Sequence, residues 1–204
     1  MNKIGFQQVF NIEEAKLNSN ESIIYNKKFS NETIFDNINS ITFDDCIFEN
    51  CIINTTINNC IFTNCKFENC DLTNIKFIDC GIHFITITNS KLLNSDITTS
   101  IIKNTVIKES LCDLINISLS SLKNVEIKDN SMKEARLLEL KLNEITLSNN
   151  NLSTIEVIET SLNNIDLTTN NISNIIIDIK NIKGATIDTN QIYDLINLLE
   201  VNIK

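Results

Sequence analysis

Residues 60–80 read CIFTNCKFENCDLTNIKFIDC, with Cys60, Cys65, Cys70 and Cys80 all falling on multiples of five. Phe62, Phe67, Leu72 and Phe77 follow two places behind the pentad marks. Followed outward, this second series runs from Ile57 to Ile187 with an apolar residue at every fifth position and no break. A period of five fits neither an α-helix at 3.6 residues nor a flat strand at 2.0. It requires a short strand, a corner and another short strand, with one side chain inward each time. The residue two places earlier shares its side of the chain. That earlier column reads Cys60, Cys65, Cys70, Ile75, Cys80, Ile85, Ser90, Ser95 and Ser100, mostly small or apolar. Each pentapeptide therefore sends in one bulky side chain and one that is usually smaller.

Asn130, Asn150, Asn170 and Asn190 recur at intervals of twenty. If four pentapeptides close one square coil, these amides stack and hydrogen-bond along a ladder. Arg136 and Glu156 are expected to pair across coils on the outside, and Glu139 and Glu159 to stack as like charges. Before Ile57 the apolar series slips twice, between Ile34 and Ile38 and between Ile53 and Ile57, predicting a tightened corner at each place. With no Pro and 3 Gly in 204 residues, the corners must use turns that Asn, Asp, Ser and Thr can make.

The pattern in NCDLTNIKF (69–77), NSDITTSII (94–102) and NNIDLTTNN (163–171) resembles that of the pentapeptide-repeat proteins. The resemblance covers residues 23–187 and implies an all-β fold, a right-handed quadrilateral β-helix with four pentapeptides per coil. About eight coils ~4.8 Å apart follow from strand spacing. The domain reading is an N-terminal cap over 1–22, the β-helix over 23–187, and a C-terminal helix with a dimerisation segment over 188–204. FQQVFNIEEAKLN (6–18) is read as a helix capping the first coil. After Gly184, Asp188, Thr189 or Asn190 can cap a helix whose Ile192, Leu195, Ile196 and Leu199 share one face. Such a helix closes the last coil, or it also mediates a symmetric dimer. GATIDTNQIYDLINLLEV (184–201) is similar to the C-terminal segment of quinolone-resistance and gyrase-interacting members of that family. That narrower resemblance implies a homodimer through Ile192, Leu195, Ile196, Leu199 and Val201, with Val201 and Ile203 adding a short strand.

Cys46, Cys51, Cys60, Cys65, Cys70 and Cys80 occupy the small inward column and Cys112 the large one. The favoured reading is buried structural thiols acting as small hydrophobes. A disulfide between Cys60 and Cys80, or a metal, is the alternative, though steps of five fit zinc-ligand spacing poorly. Phe84, Leu93, Leu111 and Leu114 point outward, as a contact patch or as a distortion near Cys112.

The formal charge is −9, with 26 acids against 17 bases, which argues against ordinary phosphate-backbone binding. Residues 32–65 and 142–179 carry acids and no base; the second zone holds Glu144, Glu156, Glu159, Asp166 and Asp178. The family resemblance implies that these five form an acidic partner surface. A rod bearing them would mimic duplex DNA toward a type II topoisomerase, DNA gyrase or topoisomerase IV, with fluoroquinolone resistance as an outcome. The alternatives are a solvated acidic surface that only keeps the protein soluble, and an interaction scaffold for another protein. The unbroken register leaves no projecting loop between Ile57 and Ile187, and the middle of the chain is not acidic. The start MNKIGFQQVFNIEEAK lacks the apolar run of a signal peptide, and no stretch is long enough to cross a membrane, so the expectation is a cytoplasmic protein. One histidine, His83, points outward, and no glycine loop can cradle a phosphate. No enzyme, cofactor, metal, small-molecule substrate or direct nucleic-acid partner is expected.

Overall fold

The structure, a computed structural model, describes residues 4–18 and 20–199, with the side chains of Asn197 and Leu199 excepted. The chain winds into a parallel β-solenoid of about 8 turns. Successive turns pair in register and every pairing between described strands is parallel. On one face Ile24 lies beside Phe43, Phe43 beside Phe62, and the column continues through Ile82, Ile102, Leu122 and Leu142. We number the four faces by their inward residues. The first carries Ile57, Phe77, Ile97, Ile117, Leu137 and Val157. The second carries the Phe62–Leu142 column, and the third Phe67, Ile87, Ile107, Ile127 and Leu147. The fourth, held by single bridges, carries Leu72, Leu92, Cys112, Met132 and Leu152. Outward residues alternate with these, so polar variation along the sequence falls on the outside.

The corners account for the asparagine. At most corners, two residues after the inward bulky residue, the backbone turns left-handed, as at Asn59 (φ 52°), Asn64 (φ 49°), Asn69 (φ 55°) and Asn74 (φ 60°). Asparagine tolerates this region better than other non-glycine residues. The two sequence slips are corners that omit it: positive φ occurs at Asn31 and next at Ser40, and at Asn50 and next at Asn59. Phe84 (φ 56°) and Leu114 (φ 61°) occupy regular left-handed corners. Cys112 sits buried in its column with undisturbed bridges on both sides, so no distortion explains the outward apolar residues.

The first cap is not helical. Residues 5–7 run without regular structure along the corner between the second and third faces, Gly5 at φ 70°. The Gly5 N–H donates to the Asn104 carbonyl (2.7 Å), the Phe6 N–H to Thr86 Oγ1 (2.8 Å) and the Gln7 N–H to Asn64 Oδ1 (2.6 Å). The strand Glu13–Glu14 then pairs with Lys27–Lys28, and Ala15 and Leu17 pack on the core. The expected helix fails because the open end of a sheet offers unpaired backbone that an extended segment can satisfy, and Glu13 and Glu14 gain ion pairs to Lys27 and Lys28 there.

At the other end, a short helix Ile179–Ile182, absent from the sequence reading, replaces a strand. Gly184 follows at φ 84°, and a Cβ there would collide with the Asn163 amide oxygen. Asp188 caps the final helical turns: its carboxylate accepts from the Asn190 N–H (2.9 Å), while Gln191 Oε1 accepts from the Asp188 N–H (2.7 Å).

One interruption lies inside the rod. The strand Lys141–Ser148 pairs with Ser121–Lys128 above it, but among the described residues no backbone hydrogen bond joins it to 161–168 below. The upper coil runs extended here, whereas 161–168 makes tight turns whose N–H groups are taken locally, as in Thr168 N–H to Asp166 Oδ1 (2.9 Å), or by the next coil, as in Leu162 N–H to the Asn181 carbonyl (2.8 Å). The seam is pinned at both ends, by Leu140 N–H to Thr160 Oγ1 (3.0 Å) and Asn149 N–H to Thr169 Oγ1 (3.1 Å).

Candidate interaction surface

Two inward corner columns hold the coils together and leave the faces free for contact. In one, the side-chain oxygen of each small residue accepts the N–H one coil earlier. Cys70 N–H donates to Ser90 Oγ (3.0 Å), Ser90 N–H to Ser110 Oγ (3.1 Å) and Ser110 N–H to Asn130 Oδ1 (2.9 Å). The column continues as an amide ladder. Asn130 Nδ2 donates to Asn150 Oδ1 (3.1 Å), and Asn150 Nδ2 to Asn170 Oδ1 (3.0 Å). Asn190 does not extend it. Gln191 closes the ladder instead, its Nε2 donating to the carbonyls of Leu167 (2.9 Å) and Asn170 (2.7 Å), because the helical turn at Thr189–Gln191 carries Asn190 outward.

All seven cysteines are buried and free. The six thiols of the small column donate to backbone carbonyls, Cys65 to Phe43 (3.5 Å) and Thr63 (3.3 Å), Cys70 to Phe48 (3.4 Å) and Glu68 (3.4 Å). Burial pushes the Cys80 thiol up to about 11 and the Cys112 thiol up to about 12. Such groups are poor nucleophiles.

The acidic residues expected to form one surface are distributed around the rod. Glu156 points out of the first face and Glu159 sits at the next corner. Glu144 occupies the corner between the second and third faces, Asp166 lies on the third, and Asp178 precedes the Ile179–Ile182 helix. Two of the five are matched by cations: Glu156 with Arg136 Nε (2.6 Å), as the sequence spacing predicts, and Glu159 with Lys180 (2.6 Å). Asp166 accepts from Thr168, which lowers its pKa.

Of the expected dimer residues, Ile192 is exposed, Leu195 packs partly buried on the core and Ile196 is half-buried. The backbone at Leu199 lies in a 3-10 turn (Ile196–Leu199), and Val201 and Ile203 lie outside the described residues. Leu198, which the sequence reading omitted, also packs on the core. With Leu195 and Leu198 turned inward, the apolar stripe at 192, 195, 196 and 199 is divided between closing the coil and facing outward.

Two grooves mark the outside. One of about 340 Å³ opens at the seam, lined by Leu142, Asn143, Glu144, Ile145, Asn163, Asn164 and Ile165. The other, about 380 Å³, lies among the outward Leu114 and Glu134, Arg136, Thr154, Glu156 and Ile176. His83 is half-buried on the second face, where burial and then Lys103 lower its pKa. Among the described residues no cluster of three or more His, Cys, Asp or Glu side chains could hold a metal, and no helix is long and apolar enough to cross a membrane.

No family model matches the chain, and no curated protein matches it. Solved structures similar to it include trypsin-treated QnrB1, a plasmid-mediated fluoroquinolone resistance protein. That protein is 18% identical, with 87% of this chain and 98% of that one covered and a TM-score of 0.42. HetL, a pentapeptide repeat protein involved in heterocyst differentiation regulation from the cyanobacterium Nostoc, is 9% identical over 80% of this chain and 86% of that one, with a TM-score of 0.32. The A-module of the Azotobacter vinelandii mannuronan C-5 epimerase AlgE4 is 12% identical over 81% and 61%, with a TM-score of 0.24. The chain is thus similar to pentapeptide-repeat proteins, and its solenoid rests on its own pairing and burial rather than on these scores.

Proposed function

We propose that the chain is a non-enzymatic protein-binding rod. The observation that supports this best is the division of labour within each pentapeptide. Both inward side chains are spent on the core and corner columns, and what varies along the chain is displayed on regular outer faces. The partner we propose is a type II topoisomerase, DNA gyrase or topoisomerase IV, engaged by a homodimer in place of duplex DNA. The net charge of −9 supports this reading, with Glu144, Asp166 and Asp178 as the members of the five that make no ion pair among the described residues. Ile192, Leu195, Ile196, Leu199 and Val201 are proposed to supply the dimer contact. Purified rod at micromolar concentration is expected to inhibit gyrase supercoiling, or to restore it in the presence of a fluoroquinolone. Neither effect would leave the enzyme out. The pairing of Glu156 with Arg136 and of Glu159 with Lys180 favours a second reading, a scaffold for a different protein, which recovery of a specific host protein other than a topoisomerase would support.

A further inference from the structure

Eight of the fifteen described cations of this acidic rod are neutralised in place. Lys66, Lys76, Lys91, Arg136 and Lys180 each have a carboxylate at 2.6–3.8 Å. The second face gathers three that are not. Its outward column reads Tyr25, Asp44, Thr63, His83, Lys103, Lys123 and Asn143, one residue per coil in register. Lys103 lies directly beside Lys123, and Lys141 stands on the same face one coil on, all three exposed. Among the described residues none of the three makes an ion pair, and from Gly81 to Asn143 this face carries no carboxylate. Like charges directly opposite on adjacent strands destabilise a sheet. Across the corner the third face repeats the arrangement with Lys108 beside Lys128, where Asp129 lies 3.7 Å from Lys128. The N-terminal strap lies on the third-face side of that corner, Gly5 packing against Thr86 and Val106.

We propose that Lys103, Lys123 and Lys141 form a docking surface for a short acidic segment of a partner protein, whose carboxylates complete the unpaired rungs. Adjacent coils ~4.8 Å apart place successive ammonium groups within reach of carboxylates on an extended peptide. The patch spans only three coils. A long polyanion laid along this column would run into Asp44 at one end and the Glu144 corner at the other, so charge complementarity favours a short acidic peptide over nucleic acid.

The test is fluorescence anisotropy of a labelled ten-residue peptide alternating Glu and Ser, against the matched Gln/Ser peptide, with the full chain. Binding is expected for the first only, weakening as salt is raised. Lys103→Glu/Lys123→Glu should weaken it at least tenfold, while Lys133→Glu/Lys183→Glu, equal in charge change and off this face, should not. Equal binding of both peptides, equal loss in both double variants, or tighter binding of a single-stranded oligonucleotide of the same charge would overturn the proposal. The neutral variant Lys103→Gln/Lys123→Gln should hold or raise the melting temperature, since it relieves repulsion. A fall in melting temperature would assign these lysines to the fold and overturn it too.

Discussion

The first coils and the later ones solve the same packing problem with different side chains. From Phe29 to Phe77 the bulky inward position is often phenylalanine, and the rings stack coil on coil. Phe43 and Phe62 lie 4.7 Å apart at 6°, and Phe48 and Phe67 4.6 Å apart at 4°. Beside them the small column is mostly cysteine. Beyond Phe77 the bulky position is chiefly Ile or Leu, and serine, asparagine and threonine enter the small column. Cysteine is accommodated where rings crowd the axis and contributes weak S–H donors. The later hydroxyls and amides have sharper geometry: Ser90 Oγ lies 2.8 Å from the Thr88 carbonyl and also accepts from the coil above. The early coils thus rely more on apolar contact and the later ones more on hydrogen-bonded columns. Between the two regimes lies a void of about 20 Å³, lined by Phe62, Phe67, Phe77, Ile82, Ile87 and Ile97 among others, where rings give way to aliphatic chains.

That contrast can be broken by mutation. Phe48→Ala removes a ring stacked against both Phe29 and Phe67 and should cost about 3–5 kcal/mol. Urea unfolding would read it beside Leu152→Ala; equal costs would show that stacking adds nothing beyond volume. Asn150→Leu keeps the branched shape but removes the acceptor for the Asn130 N–H and Nδ2, at a cost of about 1–3 kcal/mol. Cys70→Ser, in the same column, should change stability by less than about 1 kcal/mol because Ser90 already works there one coil on.

The thiols make a pH test of the early coils. Cys80 is pushed up to about 11 in the folded chain, against about 8.5 unfolded. A raised folded pKa means that the folded state holds the proton longer. Its contribution is therefore complete below about pH 8.5 and is lost as the pH rises toward 11. Melting temperature followed from pH 8 to 11 should fall less steeply in Cys80→Ser than in the parent chain. The smallest effect is expected at Arg136→Ala. Its pair with Glu156 is solvent-exposed and should be worth no more than about 1 kcal/mol in thermal unfolding, declining with salt.

Much of the architecture is legible in the residues because every pentapeptide repeats one physical demand. The unbroken apolar series, the coil of twenty, the Asn130–Asn150–Asn170 ladder and the Arg136–Glu156 pair all follow from it. The ends are less legible, since a capping segment obeys no period: 6–18 is irregular with a short strand at Glu13–Glu14 rather than helical, and Gln191 takes the place read for Asn190. The seam at 141–148 arises from a mismatch of turn types that the apolar series, intact at Leu142, Leu147, Leu162 and Leu167, does not register. The proposed acidic surface was hard to read for another reason. Neighbours in sequence face different directions, so a run of acids along 142–179 becomes a set of acids around the rod. The second-face lysines gather by the same geometry from positions twenty apart.

The left-handed corner every five residues has a consequence for how such a chain can change. Duplicating or deleting one pentapeptide keeps both inward columns filled but rotates everything downstream by a quarter turn. Each later outward residue then joins a new face and meets new neighbours, while a change of twenty residues only lengthens or shortens the rod. Unequal recombination can therefore reshuffle the exterior in bulk without altering what fills the axis.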